Sequence, residues 1–218
     1  AMKVDVLCSD PKHPVMEPLA LWADQKAHMV SLVSKTRQLT GGDVLFLVSC
    51  SEILRDVVRD MYGHCIVLHA SDLPQGRGWS PYIWAILDGA EKVCVSALSA
   101  EDSVDTGAIW AKRWFDVRPD DLFADINRKL FATEVRLMDD VLEKIASDQT
   151  PVPQQDVDAT YWPKRTPAES ELDPDASLTE SFDKLRVADP DRYPAFFRHR
   201  GSVYKLMIER LDDENDQD

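Results

Sequence analysis

The sequence predicts an α/β fold, a mostly parallel sheet flanked by helices with a small carboxyl-terminal α/β appendage. Two observations carry this. Up to Val117, short apolar runs of strand length alternate with stretches of helical spacing, and parallel strands need such crossovers. A proline-rich break, Pro151-Val152-Pro153-Gln154-Gln155, then follows the longest helical pattern. The expected division is a core over 2–150, an appendage over 151–211 and an acidic, disordered tail over 212–218.

Each element has a local reason. Lys3 to Cys8 alternates as a strand and ends in the turn cluster Ser9-Asp10-Pro11-Lys12-His13-Pro14. Val15 to Gln25 has helical spacing, with Pro18 early enough to sit in a first turn. His28 to Val33 is a second strand, and Asp43 to Ser49 a third after the Gly41-Gly42 turn. Ser51 is a candidate cap for a helix over Glu52 to Tyr62, which Gly63 would end. Cys65 to Leu68 is a fourth strand, and Tyr82 to Leu87 a short helix. Lys92 to Leu98 and Ile109 to Val117 are two more strands, joined through an acidic loop around Glu101 to Asp105. Asp120 is expected to cap the longest helix, over 121–147. Its apolar face includes Leu122, Ile126, Leu130, Leu137, Val141, Leu142 and Ile145; the face with Arg128, Lys129, Glu134, Arg136, Asp139 and Glu143 reads as solvated. In the appendage, a helix over Leu178 to Val187 precedes a last strand, Val203 to Arg210, suited to an edge position or to self-association.

Composition narrows the function. A chain with 44% hydrophobic and 29% charged residues has the balance of a soluble globular protein. No apolar run reaches the ~20 residues of a membrane span and no amino-terminal signal pattern is present. Cys8, Cys50, Cys65 and Cys94 lie in or beside apolar runs without metal-type spacing, as buried thiols of a reducing, cytoplasmic setting do. No metal is therefore expected. The net charge of −14 opposes a nucleic-acid partner, which would require a basic surface.

The chemistry concentrates in Val67-Leu68-His69-Ala70-Ser71-Asp72-Leu73-Pro74-Gln75-Gly76-Arg77-Gly78-Trp79-Ser80-Pro81. His69 ends a buried strand, and ligands of open α/β sheets bind beyond strand carboxyl ends. Gly76 and Gly78, one residue apart, suggest positive φ or close approach to a ligand. Arg77 either binds an anion or fastens the loop to a carbonyl or carboxylate; Trp79 and Trp84 read as packing residues. Downstream, Asp105-Thr106-Gly107-Ala108-Ile109 sets a carboxylate before another apolar run. A carboxylate beside a histidine orients the ring and favours its charged form.

In fixed register, His-x-Ser-x-Leu-Pro-x-x-Arg-Gly-x-x-Pro followed by Asp-x-Gly-x-Ile resembles the folate-dependent formyltransferases, the sugar N-formyltransferases most of all. Residues 44–115 carry the resemblance well. Tyr161-Trp162-Pro163-Lys164-Arg165-Thr166-Pro167 also resembles a segment after the long helix of sugar-modifying members. The resemblance implies a Rossmann-like core, 10-formyltetrahydrofolate as formyl donor, His69 and Asp105 as the catalytic pair, and Leu73, Arg77 and Gly78 as the site loop. It implies a folate pocket from Ser49, Cys50 and Ser51 and from Ala100, Glu101 and Asp102. The implied acceptor is a nucleotide-linked amino sugar for surface glycans. Lys12, His13, Arg77, Lys164 and Arg165 suit its diphosphate, and Tyr161, Trp162 and Tyr193 its base. The chain is expected as a monomer or homodimer.

Formyl transfer to an amine passes through a tetrahedral anion, so the site needs a base and fixed donors for the oxyanion. A histidine, with an ordinary pKa of about 6.5, suits either role. One departure stands out: where the family places an asparagine two residues before the histidine, this chain has Val67, which donates nothing. Two other readings therefore accompany the leading one: a formyltetrahydrofolate hydrolase, and a catalytically impaired folate-binding module. The first strand ends in Cys8-Ser9-Asp10-Pro11 and not in a glycine-rich turn, against a purine-pathway transformylase. The transfer-RNA branch adds a basic domain for which 218 residues leave no room.

Overall fold

A computed structural model describes residues 1–25, 28–50 and 52–211. In chain order the elements are β1 (Lys3–Leu7), α1 (Met16–Asp24), β2 (Met29–Val33), β3 (Gly42–Leu47), α2 (Asp56–Arg59), β4 (Tyr62–His69), β5 (Arg77–Gly78) and α3 (Pro81–Leu87). There follow β6 (Lys92–Ser99), β7 (Ile109–Asp116), α4 (Phe123–Ala146), β8 (Tyr161–Trp162), α5 (Leu178–Val187), β9 (Ala195–His199) and β10 (Ser202–Leu206).

Six strands form one sheet in the order β2-β1-β3-β4-β6-β7. The first four run parallel; β6 and β7 are antiparallel to their neighbours. This is the predicted α/β fold. Strands such as β3 are apolar on successive residues because both faces are covered. One face carries the larger core, with Leu19 and Trp22 of α1, Ile86 of α3 and Ile126 to Leu142 of α4. The other carries a smaller cluster around Leu7, Leu45, Leu54 and Tyr62. The chain winds outward from β1 to β2 in one direction and from β3 to β4 in the other. Strand ends diverge at that switch, leaving a crevice where such sheets hold ligands.

Three expectations are corrected. The helix foreseen over Glu52 to Tyr62 shrinks to α2, and Tyr62 instead opens β4, opposite Gly42. Its apolar spacing misleads because Ile53, Val57 and Met61 stay exposed. Tyr62 is drawn into the sheet by its hydroxyl, which donates to the buried Asp5 carboxylate and accepts from the Gly41 N–H. Ser51, the foreseen cap, lies outside the described residues. Asp120 does not cap α4; the Asp125 carboxylate accepts from the Leu122 N–H at the helix start, while Asp120 pairs with Arg118 and Arg210. Finally, the last strand ends at Leu206 and forms a separate antiparallel hairpin with β9, not an edge of the main sheet.

The four cysteines are free thiols, Cys8 and Cys94 buried, Cys50 and Cys65 half-buried. Among the described residues no helix is long and apolar enough to cross a membrane.

The Asp5–Tyr62 contact yields a test. Burial and the bond to Asp5 push the Tyr62 hydroxyl pKa up, so it is a committed donor. Tyr62→Phe leaves a buried carboxylate short of that donor and should cost about 1–3 kcal/mol, read as a lower denaturant midpoint at unchanged m-value.

Candidate active site

His69 and Asp105 meet at the carboxyl-terminal edge of the sheet, both side chains almost fully buried. His69 is the last residue of β4, and its Nε2 lies 2.8 Å from the Gly76 carbonyl oxygen. A carbonyl only accepts, so Nε2 carries the proton and the neutral ring keeps its lone pair on Nδ1. That Nδ1 faces Asp105 Oδ1 at 3.5 Å, a looser contact than a hydrogen bond. Asp105 adopts φ +59°, and its Oδ2 accepts from the Gly78 N–H at 2.9 Å.

Gln154, in the proline-rich segment, fixes the Asp105 backbone. Its Nε2 donates to the carbonyls of Asp105 and Gly107, and its Oε1 accepts from Arg77 at 2.8 Å. Arg77 also donates to Asp156 and to the Tyr161 hydroxyl. Of the two roles open to Arg77, the structure supports the fastener: it is 3% exposed and does not line the cleft. Gly78 must be glycine. It has φ +100°, and a Cβ there would lie 2.3 Å from the Trp162 carbonyl oxygen, since β5 and β8 pair side by side.

A cleft of about 790 Å³ runs past this pair, within the range of small-molecule sites. One wall is the sheet edge with Ser49, Cys50, Val67, Ala100 and Glu101; the opposite part is built from α3, α4 and the carboxyl-terminal segment. His13, Tyr161, Trp162, Lys164 and Arg165 all line it. Trp162 stacks on Trp84 at 5.5 Å; Arg165 covers the outer face of this aromatic group, and Lys164 lies over Trp79. Four of the foreseen residues stand off the cleft. Leu73 is buried in the loop, Arg77 is tied as described, Asp102 pairs outward with Arg59, and the Lys12 backbone closes a turn on Asp10.

The cleft also contains residues that sequence reasoning missed. Tyr82 donates to Asn127 at 3.3 Å, and Arg192 bridges Asp189 and Asp10. Glu134, expected on a solvated face, is 5% exposed and lines the cleft, and its Oε1 has no hydrogen-bond partner among the described residues. The signal was present: Glu134 sits between Leu130 and Leu137 on the apolar stripe of α4. Burial pushes its carboxyl up to about 8, and pushes His13 down.

The Formyl transferase family model matches residues 6–142. The chain belongs to the formyl transferase family. It is 31% identical over 177 residues to the methionyl-tRNA formyltransferase of Nitrosomonas eutropha, covering 80% of this chain and 55% of that protein. The chain thus spans about half the length of the curated relatives it matches. Among solved structures, methionyl-tRNA formyltransferase from Clostridium thermocellum superposes with TM-score 0.82 at 22% identity, over 97% of this chain and 94% of that one. HypX from Aquifex aeolicus in complex with tetrahydrofolic acid gives 0.81 at 21%, over 95% and 37%. A 4-N formyltransferase from Francisella tularensis gives 0.73 at 18%, over 96% and 99%. At these identities the superpositions establish the shared fold.

Glu134 gives a pH test with a definite sign. The unfolded chain releases this proton near the ordinary value of 4.5, while the folded one holds it to about 8. Native stability therefore falls as pH rises between the two. Glu134→Gln removes the titration, so its Tm advantage over the wild type should be smallest at about pH 4 and grow to about pH 8. Thermal melts across that range check it.

Proposed function

We propose that this formyl transferase moves a formyl group from 10-formyltetrahydrofolate to the amine of a nucleotide-linked amino sugar. The observation that carries the reading is the meeting of His69 and Asp105 in a cleft that also contains the Tyr161 to Arg165 segment. The formyl donor, when bound, supplies an activated one-carbon carbonyl. The part of the cleft bounded by Ser49, Cys50, Val67, Ala100 and Glu101 suits it, since a flat heterocycle rich in donors and acceptors is read by loop backbone.

The tautomer of His69 sets its role. With Nε2–H committed to Gly76, the Nδ1 lone pair is the basic atom facing Asp105. An amine attacking the formyl carbon there would give its proton to Nδ1, the Asp105 carboxylate stabilising the imidazolium, and that proton would pass to the donor's nitrogen as its bond to the formyl carbon breaks. Gly78 and Gln154 keep Asp105 in place, so both act as positioning residues. Val67 lines the cleft without a side-chain donor; with both N–H groups of protonated His69 directed at Gly76 and Asp105, backbone N–H groups are left to serve the oxyanion.

Lys164 and Arg165 are the cations suited to a diphosphate, and Trp162, held by its stack on Trp84, supplies aromatic surface for a base. The acidic balance of −14 weighs against an RNA acceptor, although sequence relatives include methionyl-tRNA formyltransferases. The deciding assay mixes protein, 10-formyltetrahydrofolate and a panel of UDP-, GDP- and dTDP-linked amino sugars, with methionyl-tRNA as a competing acceptor.

Mass spectrometry should show one sugar gaining a formyl group, with His69→Asn losing about 10²–10⁴ in kcat/KM. Val67→Asn should raise kcat/KM several-fold by supplying the missing donor. Formate release without acceptor would support the hydrolase instead. Thermal stabilisation by folate with no turnover would indicate a binding module.

A further inference from the structure

We propose that Glu134 is a specificity-determining residue for the acceptor, its buried carboxyl binding a sugar hydroxyl in the crevice between β1 and β3. This rests on the nucleotide-linked amino sugar reading above.

The geometry places Glu134 there. Asn127, Leu130, Phe131 and Glu134 line the cleft from one face of α4, at the i, i+3, i+4, i+7 spacing that stacks side chains on a helix. The same cleft is lined by His13 and Pro14, which follow β1, by Leu47 and Ser49 at the end of β3, and by Tyr82 of α3, so Glu134 shares it with the switch point of the sheet.

A buried carboxyl oxygen without a partner is costly. Replacing it with an apolar side chain of similar size is often neutral or stabilising, so its position in a ligand cleft points to a ligand that completes it. The surrounding charges select the class of group. From the end of β1 comes Asp10, from α3 Tyr82, from α1's approach His13, and from the carboxyl-terminal segment Arg165, Asp189 and Arg192. Arg192 is already spent on Asp10 and Asp189, and Tyr82 on Asn127. A phosphate beside a buried carboxyl is disfavoured by like charge once that carboxyl ionises, and Arg165, whose Nη1 has no hydrogen-bond partner among the described residues, lies over Trp84 at the aromatic stack, where it suits one. The reacting amine belongs at His69. What remains is a neutral group that both donates and accepts, as a hydroxyl does, and it suits the carboxyl with or without its proton. His13 supports the same choice: its Nδ1 accepts from the Val15 N–H, which leaves a neutral ring with Nε2–H as donor.

The test uses the nucleotide-linked amino sugar that the panel identifies, together with its monodeoxy analogues. Steady-state kinetics are measured for wild type, Glu134→Gln and Glu134→Leu. With the wild type, one analogue should be about tenfold or more poorer in kcat/KM than the parent sugar. Glu134→Leu should treat that analogue and the parent alike, with the loss in acceptor KM and none in the KM for 10-formyltetrahydrofolate. Glu134→Gln, which still donates and accepts, should keep most of the discrimination. Relieved of an unpaired buried group, Glu134→Leu should also melt higher by roughly 2–4 °C; Glu134→Met replaces it if it fails to fold. Unchanged discrimination in an apolar variant overturns the assignment while leaving the amino-sugar reading intact. If the wild type formylates no nucleotide-linked amino sugar, that reading fails first and the hydroxyl assignment fails with it.

Discussion

The Arg77 guanidinium, sealed from solvent, donates to Gln154, Asp156 and Tyr161, and the non-sheet walls of the cleft depend on that junction. Through Gln154 it fixes the carbonyls of Asp105 and Gly107. Its neighbour Gly78 holds the Asp105 carboxylate from the other side and admits the Trp162 backbone. The loop after His69, the acidic loop and the segment leading to Arg165 thus share one set of hydrogen bonds. A buried guanidinium is suited to this, because its planar fork directs several donors at fixed angles and remains charged at any working pH. Its positions relative to His69 and Asp105 explain why an arginine far from the reacting atoms belongs to the motif.

Much of this was legible in the sequence, for a physical reason. Strands buried on both faces read as continuous apolar runs, so β3 and β6 announce themselves, whereas β7, at the sheet edge, carries the exposed Lys112, Arg113 and Trp114. His69 was identifiable because a titratable residue ends an apolar run, and Asp105 because a carboxylate precedes another. The helix over Glu52 to Tyr62 was misread because apolar spacing does not say whether the side chains are buried; Ile53 and Val57 are not. Glu134 was misread by the opposite error. Its charge outweighed its place on the apolar stripe, and a lone acid on such a stripe is the informative exception. Gln154 carried no local signal, since its role depends on residues 47 and 49 positions away in the chain.

The electrostatics of the cleft differ from those of the whole molecule. A chain of net charge −14 nevertheless sets Lys164 and Arg165 over tryptophan faces beside the cleft. Global charge governs long-range encounter, whereas binding of an anionic group depends on the few cations that reach it. The carboxyl groups of the cleft are spread more widely, with Glu134 on α4, Asp189 in the carboxyl-terminal segment, and Glu101 and Asp105 by the sheet edge.

The β5–β8 pairing has a consequence for biosynthesis. Two residues of the early loop, Arg77 and Gly78, pair with two of a segment made much later, Tyr161 and Trp162. A nascent chain that has emerged only through α4 holds His69 and Asp105 but lacks Gln154, and with it the bonds that fix the Asp105 backbone. In such a chain Asp105 keeps its bond to the Gly78 N–H but not the carbonyl bond from Gln154. The His69–Asp105 arrangement is thus fastened last, by residues that lie beyond the sheet and α4 in the chain.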